Sequence, residues 1–153
     1  EYLRAMPTSE MVERAAAWQR ARWEPIAPLV QERARTLAEV YAMTDFLYLP
    51  EPVIDQKEWD TAVAKQPAFA AILTAALSKY AEIDWTAEEI HQATLGAGEA
   101  AGVAKPAQAQ APIRLAVTGR SVGPPLWESL ALLGRDRTRE RITSALRRLG
   151  VDA

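Results

Sequence analysis

Cysteine is missing from this 153-residue chain, and histidine occurs only once, as His91. Without cysteine the chain has neither a disulfide framework nor a thiolate metal site. A single histidine in a predicted helix is more typical of packing or of the surface than of catalysis. Ser121 and Ser129 have no histidine near them in sequence, so only the fold would bring a serine–histidine pair together. The sequence therefore predicts no metal site and no catalytic residue.

Glycine is scarce, with seven residues, and three of them lie close together at Gly96, Gly98 and Gly102. Their spacing misses the dinucleotide-binding fingerprint by one residue, and no predicted strand precedes them. The chain also lacks a phosphate-binding loop that ends in Gly-Lys-Ser/Thr. We interpret these glycines as sites of close helix packing or of helix termination.

Long apolar runs are missing as well. No stretch of about 18 apolar residues is present, so we expect no membrane-spanning segment. Residues 1–20 carry acidic and basic side chains in place of an apolar signal core, which favours a cytoplasmic protein. The chain begins at Glu1 and its first methionine is Met6, which indicates a fragment of a longer protein. A processed N-terminus or a removed tag is the alternative.

Charge is distributed unevenly, although the net charge is only −2. Residues 1–104 hold nine basic and sixteen acidic residues, a net charge of −7, whereas residues 105–153 hold nine basic and four acidic residues, a net charge of +5. Phosphate neutralisation supplies most sequence-independent affinity for nucleic acids, so any such contact is expected mainly in the second part. A solvated helix surface explains the same charges equally well.

Apolar residues at spacings of three and four predict an all-α fold. The clearest example runs from Pro67 to Tyr80, and capping signals at Asp55 and Thr86 mark two further helix starts. No segment alternates with the two-residue period of a strand. The other predicted helices cover residues 9–23, 25–48 with a possible break near Met43, 86–101, 112–119, 126–134 and 142–149.

The segment from Lys105 to Pro112 is biased in composition, with a proline near each end. We predict a stiff connector that leads into the short helix after it. The change in composition and the cap at Thr86 predict two consecutive helical subdomains, residues 1–83 and 84–153.

Residues 112–134 are the most informative part of the chain. Two apolar helical runs flank a loop that contains Gly119, Gly123 and the pair Pro124–Pro125, and Arg114 and Arg120 stand on either side of its start. Adjacent prolines fix an extended backbone, and glycine permits a ligand to approach closely. A rigid loop beside guanidinium groups is better suited to binding a flexible, anionic strand of bases than to catalysis.

These residues closely resemble the C-terminal, anticodon-binding region of bacterial glutamyl-tRNA synthetases. The resemblance is carried by residues 112–119 (Pro-Ile-Arg-Leu-Ala-Val-Thr-Gly), 124–128 (Pro-Pro-Leu-Trp-Glu) and 130–134 (Leu-Ala-Leu-Leu-Gly). Residues 84–86 and 28–39 add weaker support, so the resemblance extends over most of the chain from about residue 28 to 149.

The resemblance implies two helical subdomains that grip the anticodon stem and loop of the tRNA for glutamate. Arg114 matches the arginine of the family's Pro-Leu-Arg motif, and Leu126 begins the helix against which a base is held. Each has an alternative, since Arg114 suits a solvent-exposed helix position and Leu126 suits the core. Eight residues are implied as RNA-binding by the resemblance or inferred as RNA or phosphate contacts in the matching segments. They are Arg114, Pro124, Pro125, Leu126, Thr118, Arg120, Arg33 and Arg35. Arg33 and Arg35 fit packing and ion pairing equally well.

The chain also departs from the family pattern. Gly123 stands where many relatives have a hydroxyl residue, and residues 105–111 lack the additional lysine and the glycine that are common in relatives. The family's ATP-binding signatures are absent, so we expect no cofactor in this chain, with ATP bound by a catalytic domain elsewhere in a full-length, monomeric protein. A helical protein-interaction module without RNA binding is the main alternative, and a metal-free enzyme has the least support.

Overall fold

The computed structural model describes residues 6–151 and shows an all-α protein, which confirms the predicted fold class. Nine α-helices and one short 3-10 helix make up the described part of the chain, and they are numbered in chain order. Their bounds are α1 Thr8–Trp23, α2 Ala27–Val30, α3 Leu37–Thr44, the 3-10 helix Asp45–Leu47, α4 Gln56–Lys65, α5 Phe69–Glu82, α6 Ala87–Ala100, α7 Pro106–Thr118, α8 Leu126–Leu133 and α9 Arg135–Arg148.

Side-chain caps begin three of these helices. The Thr86 hydroxyl accepts the Glu89 amide at 3.3 Å, and the Asp55 carboxylate accepts the Glu58 amide at 2.9 Å. Both caps were predicted from the sequence. Each cap satisfies an amide that has no partner within the first turn of its helix.

A third cap shows that the helix predicted over residues 25–48 was wrong. The Thr36 side chain accepts the Glu39 amide at 3.2 Å and begins α3 there, after a turn over residues 31–36. The chain therefore breaks ahead of α3, and near Met43 it only passes from α3 into the 3-10 helix. This break places the turn that carries Arg33 and Arg35 on the surface.

The predicted connector over residues 105–112 was also wrong, because these residues form the first half of α7. Pro106 occupies the first turn, where a missing amide costs nothing, and the alanines and glutamines that follow favour a helix. Pro112 lies inside the helix and cannot donate to the carbonyl of Gln108. The Gln66 side-chain amide donates to that carbonyl at 3.4 Å instead, and it partly replaces the lost bond.

Helices α5 to α9 surround most of the core. Ile72, Ile90, Ile113, Leu130 and Ile142 are fully buried there.

Polar contacts join the chain on both sides of residue 83. The Tyr80 and Thr94 hydroxyls share a hydrogen bond of 2.5 Å, and the Arg135 guanidinium donates to the Ile83 carbonyl. The predicted division into subdomains at residue 83 falls in the turn between α5 and α6, and it stays a prediction.

Two of the clustered glycines differ in what surrounds them. A Cβ on Gly98 would lie 2.5 Å from the Ala109 Cβ, so this glycine lets α6 and α7 pack closely. Gly102 ends the segment after α6 with a φ of +75°, a conformation that favours glycine. The interpretation of these two residues as packing and termination sites is confirmed.

Candidate nucleic-acid interface

The end of α7 fixes the loop that the sequence singles out. Gly119 adopts a φ of +78°, and a Cβ at this position would lie 2.2 Å from the Val53 carbonyl oxygen. Only glycine fits both the left-handed backbone and this close approach. The Gly119 carbonyl also accepts the Asp55 amide at 3.0 Å. The loop is thereby tied to the segment that leads into α4.

Thr118 is buried and connects the two sides of the turn. Its hydroxyl lies 2.9 Å from the Arg114 carbonyl and 3.1 Å from the Arg120 carbonyl. The hydroxyl therefore holds the turn closed at the point where the helix ends. A direct contact from Thr118 to RNA stays a prediction.

Arg114 lies on the last turns of α7 with its side chain half-buried against the loop. One guanidinium nitrogen donates to the Pro124 carbonyl at 3.0 Å. Within residues 6–151 the guanidinium forms no ion pair. Burial, followed by the positive charge of Arg33, lowers the pKa of Arg114 below its ordinary value. A cation held this way retains donors for an external anion or a planar base edge.

Gly123 lies directly beside this guanidinium. A Cβ at Gly123 would be 3.4 Å from the Arg114 Nη1 atom, which is an ordinary van der Waals contact. A small side chain would therefore fit here beside the guanidinium. The loss of a hydroxyl contact to a base at this position stays a prediction.

The proline-bounded loop is partly buried. Pro124 is buried and Leu126 is 2% exposed, whereas Pro125 is half-buried and Val122 is 76% exposed. The alternative interpretation of Leu126 as a core residue agrees with this burial. The surface that the loop offers consists of Val122, Gly123 and Pro125, and base contacts by Pro124 and Leu126 stay predictions.

Arg120 has an internal partner that sequence reasoning missed. Its two terminal nitrogens each lie 2.7 Å from a carboxylate oxygen of Asp45, and Nη1 also donates to the Ala42 carbonyl. The hydrogen bonds to Asp45 are the main cause that raises the pKa of Arg120. Nothing in the sequence identifies this pair, because the two residues come from separate helical segments. An RNA contact by Arg120 stays a prediction.

Arg33 and Arg35 differ in their surroundings although both are exposed. The Arg35 side chain is 91% exposed and pairs loosely with Glu39, with 4.0 Å between the nearest atoms. Arg33 has no ion pair in the described part of the chain, and its charge acts on Arg114 across the fold. The charge of Arg33, but not that of Arg35, is thus among the causes that lower the pKa of Arg114.

Arg141 is a second arginine whose role the sequence does not show. It is 2% exposed, and its guanidinium donates to the carbonyls of Val117, Phe46 and Leu49 at 2.7–2.8 Å. Burial is the largest cause that lowers the pKa of Arg141 to about 10, which leaves the side chain charged at neutral pH. Carbonyls at helix ends carry partial negative charge, so a buried cation there satisfies them without a carboxylate.

The candidate interface is the surface around Arg114. Within the described ranges, no group of three His, Cys, Asp or Glu residues is arranged to hold a metal ion. No helix among residues 6–151 has the length and apolar character needed to span a bilayer. The candidate interface consists of Arg114 and Arg33, which form no ion pair within residues 6–151, the apolar strip of Val122 and Pro125, and the turn at Gly119.

The fold defines an all-α domain whose candidate interface is a loop flanked by arginines. The anticodon binding domain family matches residues 8–146 of this chain. The chain therefore belongs to the anticodon binding domain family.

Known ligases and structures are similar to the same region. The chain is 43% identical to the glutamate–tRNA ligase of Thermobifida fusca, over 97% of this chain and 34% of the ligase. It is 40% identical to that of Streptomyces coelicolor, over 97% of this chain and 32% of the ligase. A glutamate tRNA ligase structure from Elizabethkingia meningosepticum matches 80% of this chain and 24% of its own, with 25% identity and a TM-score of 0.67. The chain spans about a third of the length of its ligase relatives.

Proposed function

We propose that this domain binds the anticodon loop of the tRNA for glutamate, as part of a glutamate–tRNA ligase. The observation that carries the proposal is the half-buried Arg114 guanidinium, which is held by the Pro124 carbonyl at 3.0 Å, has no carboxylate partner within residues 6–151, and is acted on by the positive charge of Arg33. Like charges brought together without a counter-ion favour an external anion. An RNA strand supplies both phosphates and base edges to such a pair.

The local geometry favours an unstacked RNA strand over a generic anion. The Arg114 guanidinium is planar, half-buried and oriented by the Pro124 carbonyl. Beside it, Val122 and Pro125 offer apolar surface on a backbone fixed by two prolines. Single-stranded RNA is recognised by this combination of planar donors and flat apolar surface.

In this proposal the domain contributes affinity and anticodon identity, and the attachment of glutamate takes place elsewhere in the ligase. ATP and glutamate would bind a catalytic part that precedes these residues in the relatives' longer chains. The proposed setting is the cytoplasm, where translation takes place. The tRNA is the proposed partner, and the domain would act as a monomer.

Substitution of Arg114 tests the proposal. We expect Arg114→Gln to weaken binding of a glutamate tRNA transcript by about 1–3 kcal/mol, the range for one good bidentate base contact. A second transcript with replaced anticodon bases should bind the parent protein more weakly and lose less affinity on substitution. Arg147→Gln, at an exposed site at the far end of α9, is the charge-matched control. Equal losses for both transcripts would reduce Arg114 to a phosphate contact and contradict base reading.

The exposed apolar residues of α1 favour a second candidate function, a protein-interaction module. Met11, Val12 and Trp18 are 40%, 61% and 58% exposed, and no residue of α1 is buried. A salt titration separates the two functions. Log affinity for RNA should fall linearly with log salt, by about 0.7 for each single-strand phosphate neutralised. Binding to an apolar protein partner would respond little to salt.

A further inference from the structure

A groove lies between α4 and α7, next to the loop that carries Val122. Its volume is about 680 Å³, within the range of about 300–1,000 Å³ that is typical of small-molecule sites. Hydrogen bonds join its two walls near both ends of α4. The Gln66 side chain donates to the Gln108 carbonyl at 3.4 Å, and the Ser121 amide donates to a Glu58 carboxylate oxygen at 2.6 Å. The groove is therefore formed by the fold itself, before any ligand binds.

The floor of the groove is apolar. Phe69 is 2% exposed, and its ring lies edge-on to that of Trp59, with 5.4 Å between the ring centroids. Ala62, Ala111 and Pro112 supply small apolar surfaces around it. Small residues beside a held aromatic ring leave room for a planar group. Proteins that bind single-stranded RNA place nucleobases on aromatic and apolar surfaces of this kind.

One wall of the groove carries two positive charges. Lys57, Thr61 and Lys65 recur at a spacing of four residues on α4, so they follow one face of that helix, and all three line the groove. Both lysines are exposed, and neither forms an ion pair within residues 6–151. Their ammonium groups can therefore bind the phosphates of an anionic strand.

The two acidic residues of the lining, in contrast, already have partners. The Asp55 carboxylate accepts the Glu58 amide at 2.9 Å, and the Glu58 carboxylate accepts the Ser121 amide. Both acids lie at the start of α4, whereas Lys65 is its last residue. The lysine charge is thus left for an external group, which favours an anionic ligand over an uncharged apolar segment of a protein.

The groove is continuous with the candidate interface around Arg114. Ala111 lines the groove and precedes Arg114 by three residues, so the two are neighbours on the surface of α7. Ser121 also lines the groove and directly precedes Val122 of the apolar strip. A strand bound at Arg114 would therefore have its next nucleotide at the mouth of the groove.

We propose that the groove between α4 and α7 is a second nucleotide site. Its apolar floor takes the base next to the one at Arg114, and Lys57 and Lys65 bind the phosphates that flank this base. The inference rests on the proposed function, because it extends the path of the same RNA strand. It adds two RNA contacts that lie outside the motif of residues 112–134.

Lysine substitutions test the phosphate contacts. We expect Lys57→Gln and Lys65→Gln each to weaken binding of a glutamate tRNA transcript by about two- to fivefold, the range for ion pairs near a protein surface. Each should also lower the slope of log affinity against log salt by about 0.7. Lys79→Gln, on α5 and outside the lining, is the charge-matched control and should leave the slope unchanged. Parent-like slopes for both groove variants overturn the site.

Site-directed crosslinking locates the base. The chain has no cysteine, so Ala107→Cys places a single thiol in the lining of the groove for attachment of an azidophenacyl group. On illumination we expect this variant to become joined to a nucleotide of the anticodon loop of the transcript. Ala81→Cys, exposed on α5 and outside the lining, is the matched control and should give no such product.

Val122→Cys separates failure of this inference from failure of the proposed function, because Val122 belongs to the surface around Arg114. Crosslinks to the anticodon loop from Val122→Cys but none from Ala107→Cys would leave the proposed function in place and overturn the groove site. Crosslinks from neither variant, with no binding of the transcript by the parent, would overturn the proposed function and the groove site with it.

Discussion

The pKa of Arg114 is lowered by burial and, next, by the positive charge of Arg33, so the two guanidinium groups lie within electrostatic reach of each other. These residues come from a surface turn before α3 and from the last turns of α7. Within residues 6–151 neither forms an ion pair. Folding therefore leaves two interacting cations without a carboxylate partner in the described part of the chain.

This relationship predicts non-additive losses in RNA binding. We expect Arg33→Gln and Arg114→Gln each to weaken binding of a glutamate tRNA transcript about tenfold, or 1.4 kcal/mol. The double variant should lose clearly less than the sum, because residues that share one ligand are coupled. Arg35→Gln is the control in the same turn, and its effect should stay within about 0.5 kcal/mol, as is usual for an exposed ion-pair residue. Full additivity in a filter-binding or fluorescence titration would mean that Arg33 and Arg114 bind separate groups.

The close approach of Gly119 to Val53 predicts a large loss of stability on substitution. Gly119→Ala introduces both left-handed strain and an overlap with the Val53 carbonyl at 2.2 Å. We expect the free energy of unfolding to fall by about 2–5 kcal/mol, measured by urea denaturation.

Gly102→Ala measures the cost of the left-handed backbone conformation alone. Gly102 has a nearly identical φ of +75°, but nothing lies within 4 Å of a Cβ placed there. The expected loss is about 1–2 kcal/mol, from backbone conformation alone. Equal effects at the two positions would show that the contact with Val53 contributes nothing.

Two glycines on α6 are predicted to respond in opposite directions. Gly98→Ala places a methyl group 2.5 Å from the Ala109 Cβ, and overpacking of this kind costs about 1–3 kcal/mol. Gly96→Ala meets only the end of the Lys79 side chain, at 3.2 Å, which is free to move aside. Alanine favours a helix over glycine by up to about 1 kcal/mol, so this variant should be as stable as the parent or more stable. A thermal melt of both variants compares them directly.

The burial of the Tyr80 phenol predicts that the protein loses stability at alkaline pH. Burial raises the pKa of this phenol well above its ordinary value of 10.0, while the hydrogen bond to Thr94 opposes the shift to a smaller extent. Above pH 10 the unfolded chain releases the proton and the folded chain retains it. The free energy of unfolding should therefore fall as the pH rises, by up to about 1.4 kcal/mol per pH unit from this group.

Tyr80→Phe removes this contribution. At pH 7 the variant should be about 1 kcal/mol less stable because the hydrogen bond to Thr94 is lost. Between pH 9 and 11, however, its stability should fall less steeply than that of the parent. Parallel slopes for Tyr80→Phe and the parent in urea titrations would contradict the burial argument.

Local signals in the sequence were enough for much of the fold. The caps at Asp55 and Thr86 depend on residues three positions apart, and the apolar stripe of α5 depends on helical spacing. Prediction failed at residues 105–112, where two prolines suggested a connector. The alanines and glutamines between these prolines favour a helix, and the Gln66 side chain donates to the Gln108 carbonyl that Pro112 leaves without an amide.

The binding surface was predictable only in part. The motif around Arg114 was visible because its loop residues are contiguous in sequence. Arg120 and Arg141 resemble any other surface arginine in sequence, and only the fold pairs one with Asp45 and buries the other among carbonyls. Arg33 acts on the pKa of Arg114 while Arg35 pairs with Glu39, and no local pattern distinguishes the two arginines in this way.

The hydrogen bond from Arg114 to the Pro124 carbonyl affects the entropy cost of binding a ligand. A long, free arginine loses rotational freedom when it is immobilised by a partner, at a cost of about 0.5–1.5 kcal/mol. Here that ordering takes place during folding, before any RNA arrives. We expect the domain to hold the Arg114 guanidinium in its binding position before RNA arrives, so that the complex forms fast with little structural change in the protein.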